Sequence, residues 1–311
     1  MSADQQQPEK SAPHERLRIG CIGLGAMGLP IARHLQAAGY TLLLHARRPE
    51  AYENELKTLI DGGAGIAASP AEMAASVDII LTNVHAGADM VDLVIDRHDA
   101  ILKNSADGPR NRLVIVDHST IDPQTAQRLY AAAKAAGAAY VDAPVSGGAA
   151  GAEAGTLVTM MGGDADVIER IFPVTTCYTA RQRHMGGPGQ GSIAKLCNQI
   201  AQVIAIEGVA EAMAFATSHG ADREKVMDVM LSGFASSRML ELLGPKMHRG
   251  DYTPGMESRL LDKDVGIALD AAAAEGLDMP ALAEVGRNIA TLQSRGWQEK
   301  DISIIFELLR K

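Results

Sequence analysis

The chain has no excess of positive charge and few cysteines. Its 311 residues carry a formal net charge of -9, which argues against a general affinity for nucleic acid. Its three cysteines, Cys21, Cys177 and Cys197, show no CxxC spacing and lie among apolar neighbours, so we expect reduced cysteines that serve in packing. The nine histidines form no HExxH motif, and we predict no metal site.

Long uncharged hydrophobic runs are also missing. The first sixteen residues are polar, which argues against a secretory signal. We therefore expect a disordered tail (1–16) on a cytoplasmic protein. The most apolar stretch, 199–217, contains Glu207 and Glu211, and these charges are costly in hydrocarbon. It indicates a buried helix, and we expect no membrane association.

A glycine-rich turn follows the first apolar run. Residues 17–22 are followed by Gly23, Gly25 and Gly28, and then by a helical pattern that Gly39 ends. In a dinucleotide site the first glycine permits the turn, the second lets the backbone approach a pyrophosphate, and the third lets the helix pack on the strand. Glycine also marks ordinary turns. The flanking pattern favours a cofactor site made of Gly23, Leu24, Gly25, Ala26, Met27 and Gly28.

The second strand ends in arginines instead of a carboxylate. An NAD site usually places Asp or Glu there to bind the ribose hydroxyls, whereas this chain has Arg47 and Arg48. A guanidinium binds a 2'-phosphate that a carboxylate would repel. The pair therefore favours NADP(H), with NAD(H) still possible; the alternative is a solvated loop.

Strands alternate with helical stretches through the first half, which predicts a doubly wound parallel sheet. Ligands bind at the carboxyl ends of such strands. The polar and small residues there are cofactor candidates, although Ser-Thr is also a common helix cap. These candidates are Asn83, Val84, Ser119 and Thr120.

The segment 142–157, "DAPVSGGAAGAEAGTL", has four glycines and no aromatic residue. Successive backbone amides in a glycine turn can bind a carboxylate or phosphate, and Ser146 adds a hydroxyl donor. A flexible surface loop is the alternative, and the position after a strand argues against it.

A long helix is predicted from about 192 to about 218. Lys195, Asn198, Gln199 and Gln202 share one face of it, and the residues around them are mostly apolar. Such a strip faces either solvent or a cleft. A lysine in a cleft has its pKa lowered by desolvation, as a general acid or base at neutral pH requires.

Four blocks give the chain its resemblance to a known family. They are "GLGAMGLPIARHL" at Gly23, "VDAPVSGGAAGAEAGTL" at Val141, "GPGQGSIAKLCNQ" at Gly187 and "KDVGIAL" at Lys263. From about residue 16 to the C-terminus the chain resembles the β-hydroxyacid dehydrogenases. The resemblance implies a Rossmann domain (17–185) and an all-helical domain (186–311) for substrate binding and dimerisation, joined by the long helix.

The resemblance also implies the chemistry of the site. It predicts hydride exchange between NADP(H) and a small carboxylate-bearing aldehyde or hydroxy acid. Lys195 would be the general acid or base, and Lys263 would reach toward cofactor and substrate. The substrate would be bound by Ser146, Gly147, Gly148, Asn198 and Gln199.

Two departures from the family pattern concern the substrate pocket. Many members have two asparagines after the lysine, where this chain has Asn198 and Gln199, a variation associated with tartronate semialdehyde reductases. An aromatic residue usually follows Gly255, and here Met256 stands beside the expected nicotinamide site, which implies a softer or wider wall.

The resemblance leaves two alternative functions open, and the apolar helical pattern separately predicts an assembly. An imine reductase shares the expected architecture but generally lacks the lysine, and a non-catalytic NADP-binding module would not need it. The helical half has more apolar faces than one small domain buries, which predicts a homodimer or homotetramer.

Overall fold

The computed structural model describes residues 17–103 and 113–310, so the predicted tail (1–16) lies outside the described residues. Most strands fall within runs that predict them in the sequence, namely 17–22, 40–47, 77–84, 112–120, 138–145 and 156–163. The nine strands are β1 (Arg18–Ile22), β2 (Thr41–His45), β3 (Gly65–Ile66), β4 (Ile79–Thr82), β5 (Val114–Asp117), β6 (Ala139–Asp142), β7 (Val145–Ser146), β8 (Leu157–Gly162) and β9 (Thr179–Gly186).

These strands form one sheet in the order β3-β2-β1-β4-β5-β6-β8-β7, with β9 paired to β8. The first six run parallel in the Rossmann order 3-2-1-4-5-6, as predicted. The sheet is not wholly parallel, because β8 lies antiparallel to both β6 and β7. Strand β9 was not predicted, since its sequence TARQRHMG is polar and its side chains are largely exposed.

Both faces of the sheet are buried. In β4, Ile79 and Leu81 pack into one core and Ile80 into the other, and β5 alternates in the same way. Successive strand residues point to opposite faces, so an apolar run without alternation is what a two-sided core requires. The covering helices are α1 (Gly28–Ala37), α2 (Lys57–Asp61), α3 (Pro70–Ser76), α4 (Gly87–Val91), α5 (Pro123–Ala135), α6 (Gly148–Glu153) and α7 (Ala165–Thr175).

A helix of 29 residues leads from the sheet into the helical half. It runs over Gln190–Ser218, two residues longer at its start than predicted, and packs against each of the helices that follow. The later helices are α9 (Arg223–Ser232), α10 (Arg238–Arg249), α11 (Ser258–Ala274), α12 (Pro280–Ser294) and α13 (Phe306–Leu309). The long helix described above is α8. Its residues Val203, Ile206 and Met213 lie in the core that it shares with the later helices.

By length and composition α8 is the one helix among residues 17–103 and 113–310 that would be able to span a membrane. Its buried residues include Glu207, whose carboxylate accepts a hydrogen bond from Asn288 on α12 at 2.7 Å. Desolvation by burial raises the pKa of Glu207. The predicted packing role of the cysteines holds for Cys21, which is buried, and is wrong for Cys197, which is exposed on α8.

The sheet and α8 meet in close contact at a seam formed by Gly162 of β8 and Gly191 of α8. A Cβ added to Gly191 would lie 2.4 Å from the Asp142 carbonyl oxygen and 2.5 Å from that of Met160. A Cβ on Gly162 of β8 would lie 2.7 Å from the Gly191 nitrogen. Because backbone atoms occupy this space, the contact distance between the two halves depends on both glycines.

We expect Gly191→Ala to lower the free energy of unfolding by about 3 kcal/mol, at the upper end of overpacking costs, because the obstructing atoms are backbone. Denaturant unfolding followed by circular dichroism measures this. Gly208→Ala is the matched control on the same helix, where an added Cβ meets nothing within 4 Å. It should raise stability by up to about 1 kcal/mol through helix propensity. Equal changes in the free energy of unfolding of the two variants would contradict a close contact at the seam.

Candidate active site

The three glycines of the turn after β1 differ in their surroundings: two are packed against backbone and one faces open space. Gly23 has a φ of +83°, and a Cβ there would lie 2.0 Å from the Asn83 carbonyl oxygen. A Cβ on Gly28 would lie 2.2 Å from the Gly23 carbonyl oxygen. Gly25 has nothing within 4 Å of an added Cβ, which leaves its backbone accessible to a ligand. This division matches the roles of the three glycines in dinucleotide binding.

A cleft of about 570 Å³ opens beside this turn. It is bounded by the carboxyl ends of β1, β2 and β4, the switch point where a doubly wound sheet binds its ligand. Of the predicted cofactor residues, seven line it: Gly23, Leu24, Gly25, Arg47, Arg48, Asn83 and Val84. Ala26, Met27 and Gly28 complete the turn and the start of α1 without lining the cleft.

The cleft has the chemistry that a dinucleotide requires. Asn83 lines it, and its buried Nδ2 has no hydrogen-bond partner among the described residues. A buried donor without a partner is costly, so a ligand acceptor would satisfy it. The open backbone at Gly25 and the start of α1 suit a pyrophosphate, and Arg47 suits an anionic group. The residues present therefore fit the cofactor.

Ser119 contacts the backbone of the loop after β4, and Thr120 contributes its carbonyl oxygen to a contact with α11. The Ser119 hydroxyl accepts a hydrogen bond from the Val84 amide at 2.9 Å, which holds the loop after β4 in place. Neither residue caps α5, since Asp122 accepts from the Thr125 amide at 2.8 Å. The alternative reading of Ser-Thr as that helix's cap is therefore wrong, and a cofactor contact stays a prediction.

Lys263 of α11 joins the helical half to the cleft. Its Nζ donates to the carbonyl oxygens of His85 at 2.8 Å and Thr120 at 3.1 Å. It also lies 3.4 Å from the Asp264 carboxylate. Since His85 lines the cleft, Lys263 lies beside it, and the reach of Lys263 toward cofactor and substrate stays a prediction.

Lys195 lies buried on α8 beside the glycine turn of the segment 142–157. Lys195 is only 8% exposed, and its Nζ donates to the Val145 carbonyl oxygen at 2.9 Å. Ser146, Gly147 and Gly148 follow directly, with φ values of +133° and +62° at the two glycines. Positive φ is readily available only to glycine, so the turn depends on these residues.

Desolvation by burial lowers the pKa of the Lys195 amine; Asp264 opposes this shift and Lys263 adds to it. A buried amine with a lowered pKa is suited to exchange a proton near neutral pH. The alternative in which this polar strip faces solvent is wrong for Lys195 and Gln199, which are both buried.

Asp264 was not predicted as a site residue. It is 7% exposed and accepts a hydrogen bond from Gln199 Nε2 at 2.7 Å. It shares the buried face of α11 with Leu261, Val265 and Ala268, and a carboxylate on an apolar helix face was the signal in the sequence.

The remaining polar residues of α8 contact one another. Asn198 Nδ2 donates to Gln199 Oε1 at 3.0 Å, and Gln202 Nε2 lies 3.1 Å from the Met256 sulfur. Met256 therefore packs against α8 and does not line the cleft. Substrate binding by Asn198 and Gln199, and the nicotinamide contact of Met256, stay predictions.

Asp142, at the carboxyl end of β6, was also missed. Its two carboxylate oxygens accept from the amide of Gly189, the N-cap of α8, at 2.9 Å and from the amide of Ser192, in the first turn of α8, at 2.8 Å. Desolvation by burial raises the pKa of Asp142 to about 6, and the two amide bonds oppose that shift. The carboxylate fixes the start of the helix one turn before Lys195.

His118 and His184 are held by hydrogen bonds within the fold. His118 is buried between the Ala143 carbonyl oxygen at 2.7 Å and the Tyr178 hydroxyl at 2.9 Å. Burial lowers the pKa of His118 to about 4. His184 Nε2 lies 2.8 Å from the Gly186 carbonyl oxygen. Across the described ranges no group of three or more His, Cys, Asp or Glu residues is arranged to hold a metal ion.

Residues 18–187 match a family model described as the NAD binding domain of 6-phosphogluconate dehydrogenase. Residues 189–309 match one described as the NAD-binding of NADP-dependent 3-hydroxyisobutyrate dehydrogenase. The chain belongs to the β-hydroxyacid dehydrogenase family. It is therefore an NAD(P)-dependent oxidoreductase that acts on a hydroxyl group.

Full-length relatives support this membership. The chain is 35% identical to 2-hydroxy-3-oxopropionate reductase of Escherichia coli (strain K12), over 94% of this chain and 97% of the relative. It is 32% identical to an NAD-dependent L-serine dehydrogenase of Pseudomonas aeruginosa, over 94% and 97%. A solved structure of Mycobacterium tuberculosis 3-hydroxyisobutyrate dehydrogenase with L-serine has a TM-score of 0.85 at 27% identity, covering 95% of this chain and 99% of that one.

We expect Asp142→Asn to lower kcat/KM about tenfold to a hundredfold, because a donor then faces one of the two helix amides and the first turn of α8 shifts. Steady-state kinetics and dinucleotide titration measure this. Dinucleotide affinity should stay within twofold of the unaltered protein, since the glycine turn is separate.

The matched control is Asp222→Asn, at the exposed cap of α9, where the carboxylate accepts from the Glu224 and Lys225 amides. It should leave both quantities unchanged. A parallel loss of dinucleotide affinity and kcat/KM in Asp142→Asn would contradict a role in positioning α8.

Proposed function

We propose that the protein is an NADPH-dependent reductase of a small semialdehyde acid and, in reverse, a dehydrogenase of the matching hydroxy acid. The observation that carries this proposal is the buried Lys195 amine beside the Ser146-Gly147-Gly148 turn. When bound, the nicotinamide supplies or accepts the hydride.

The charge around Lys195 supports an anionic substrate. Lys195 and Lys263 contribute two positive charges when protonated, and Asp264 contributes one negative charge. The resulting excess of one positive charge suits a substrate carboxylate. The amides and hydroxyl of the 146–148 turn would bind that carboxylate, which answers why so many glycines occur there.

Lys195 would hold the proton that the substrate oxygen gains or loses. During reduction the protonated amine gives a proton to the oxygen of the nascent alkoxide, and during oxidation the neutral amine takes the hydroxyl proton. The Val145 carbonyl oxygen accepts one N–H of the amine in either state, which keeps Nζ beside the turn. A non-catalytic module would not need a buried amine, and the imine reductases generally lack this lysine.

A preference for NADP(H) is part of the proposal. Arg47 lines the cleft and forms no hydrogen bond or ion pair within residues 17–103 and 113–310, so its guanidinium is available to a 2'-phosphate. The description of the C-terminal family model names an NADP-dependent enzyme, whereas the Pseudomonas aeruginosa relative is named NAD-dependent. Cofactor choice therefore varies among relatives, and Arg47 favours the phosphate-bearing form.

We expect Lys195→Ala to lower the rate of NADPH oxidation about 10²- to 10⁴-fold, the usual contribution of a general acid. The assay uses tartronate, succinic and methylmalonate semialdehydes, with NADPH and NADH in parallel. In the unaltered protein, reduction should slow as the pH rises through the pKa of Lys195, which lies below 10.5, and oxidation should accelerate.

Lys134→Ala, on the exposed face of α5, is the control and should not change these rates. NADPH binding should persist in Lys195→Ala, which separates chemistry from cofactor affinity. Turnover that survives the loss of Lys195, or no turnover with any of the three acids, would contradict the proposed function.

We also propose self-association through the helical half. Helix α9 has no buried residue, its Val229 is 70% exposed, and Phe234 just beyond it is fully exposed. Apolar surface of this kind marks a contact with another molecule, and a second copy is the occupant that the sequence predicted.

We expect light scattering after size exclusion to give two or four times the chain mass of 32.8 kDa. Combining Val229→Ser with Phe234→Ser should shift the protein toward the single-chain mass. Ile66→Ser, at an exposed apolar residue of β3, is the control and should not. A monomeric unaltered protein would contradict this assembly.

A further inference from the structure

The carboxyl end of β2 has no acidic residue at the expected ribose site, but Glu55 lines the same cleft from the segment that follows. Arg48 does not extend freely into the cleft, because its Nη2 donates to Glu55 Oε1 at 3.1 Å. Its Nη1 also lies 3.9 Å from Glu50 Oε1. The two arginines therefore differ: Arg47 is available to a ligand, and Arg48 is engaged by acidic side chains.

Glu55 comes from the stretch between the short helix Pro49–Tyr52 and α2, ten residues after the end of β2. It lines the same cleft as Gly25 and Arg47. Its side chain is 47% exposed, so it has room to turn between Arg48 and a ligand. A backbone hydrogen bond and the bond from Arg48 lower the pKa of Glu55, so the carboxylate is ionised at neutral pH.

The two forms of the cofactor respond to a carboxylate in opposite ways. The adenosine ribose of NAD(H) presents hydroxyl groups that donate to it, whereas the 2'-phosphate of NADP(H) is repelled by it. In the usual NAD site this carboxylate stands at the end of the second strand, where this chain has Ala46 and Arg47. Glu55 reaches the same cleft from the segment just before α2.

We propose that Glu55 binds the adenosine ribose hydroxyls of NAD(H) and thereby makes the protein tolerant of both cofactors. Arg47 favours the phosphate of NADP(H), and Glu55, held by Arg48, favours the hydroxyls of NAD(H). This inference rests on the dinucleotide site of the proposed function and adds a specificity residue to it. It also assigns Arg48 to positioning Glu55, in place of the phosphate contact predicted from the sequence.

The test is equilibrium binding of NADH and NADPH, followed by the fluorescence of the reduced nicotinamide and without any acceptor substrate. In Glu55→Gln we expect the Kd of NADH to rise at least fivefold and that of NADPH to stay equal or fall. The ratio of the two constants should therefore change at least fivefold in favour of NADPH. Arg47→Ala should change the ratio in the opposite direction.

Arg48→Ala separates the two roles of that residue. If Arg48 positions Glu55, its loss weakens NADH and changes the Kd of NADPH less than threefold; if it binds phosphate, NADPH weakens alone, which overturns the assignment. Glu284→Gln, which removes an exposed pairing with Arg287 on α12, is the control for loss of a surface ion pair and should leave both constants unchanged.

An unchanged Kd of NADH in Glu55→Gln overturns the inference. This result is distinguishable from failure of the proposed function, which would appear as absent turnover while dinucleotides still bind. If neither dinucleotide binds the unaltered protein, both the proposed function and the role of Glu55 fall.

Discussion

The contact between the Asp142 carboxylate and the first turn of α8 connects the two halves of the site. Two backbone amides of the helix lie within 2.9 Å of that carboxylate, and Lys195 follows Ser192 by less than one turn. A strand end therefore determines where a helix begins, and the helix start determines where the amine lies. Burial raises the pKa of Asp142 to about 6, so the contact is costly in desolvation, and its two amide bonds offset part of that cost.

The helical half returns to the sheet through a second set of polar contacts. Lys263 bonds to the loops after β4 and β5, and the adjacent Asp264 accepts from Gln199 on α8. Lys195 thus belongs to a helix whose start is held by Asp142, and its amine lies near the charges of Lys263 and Asp264 on α11. Desolvation by burial lowers the pKa of Lys195, Asp264 opposes that shift and Lys263 adds to it, so the contacts of α11 act on the proton affinity of this amine.

Local patterns were predictable from the sequence, and contacts between distant segments were not. The glycine turn, most of the strands and Lys195 each leave a signal within a few residues, and the structure places them as expected. Asp142, Asp264 and Glu55 act on residues 50, 65 and 7 positions away, and no short motif records those partners. Strand β9 was missed because an exposed edge strand has no apolar run, and the antiparallel β8 because strand direction depends on tertiary pairing.

The glycine seam between β8 and α8 limits which segments related proteins could exchange by recombination. Because Gly162 and Gly191 leave no room for a side chain, each half of the molecule packs directly against backbone atoms of the other. A relative that carried even a methyl group at one of these positions would need a shifted strand or helix on the other side. Recombination between such relatives would therefore preserve a working enzyme only when both sides of the seam come from the same parent, although the two domains have separate cores.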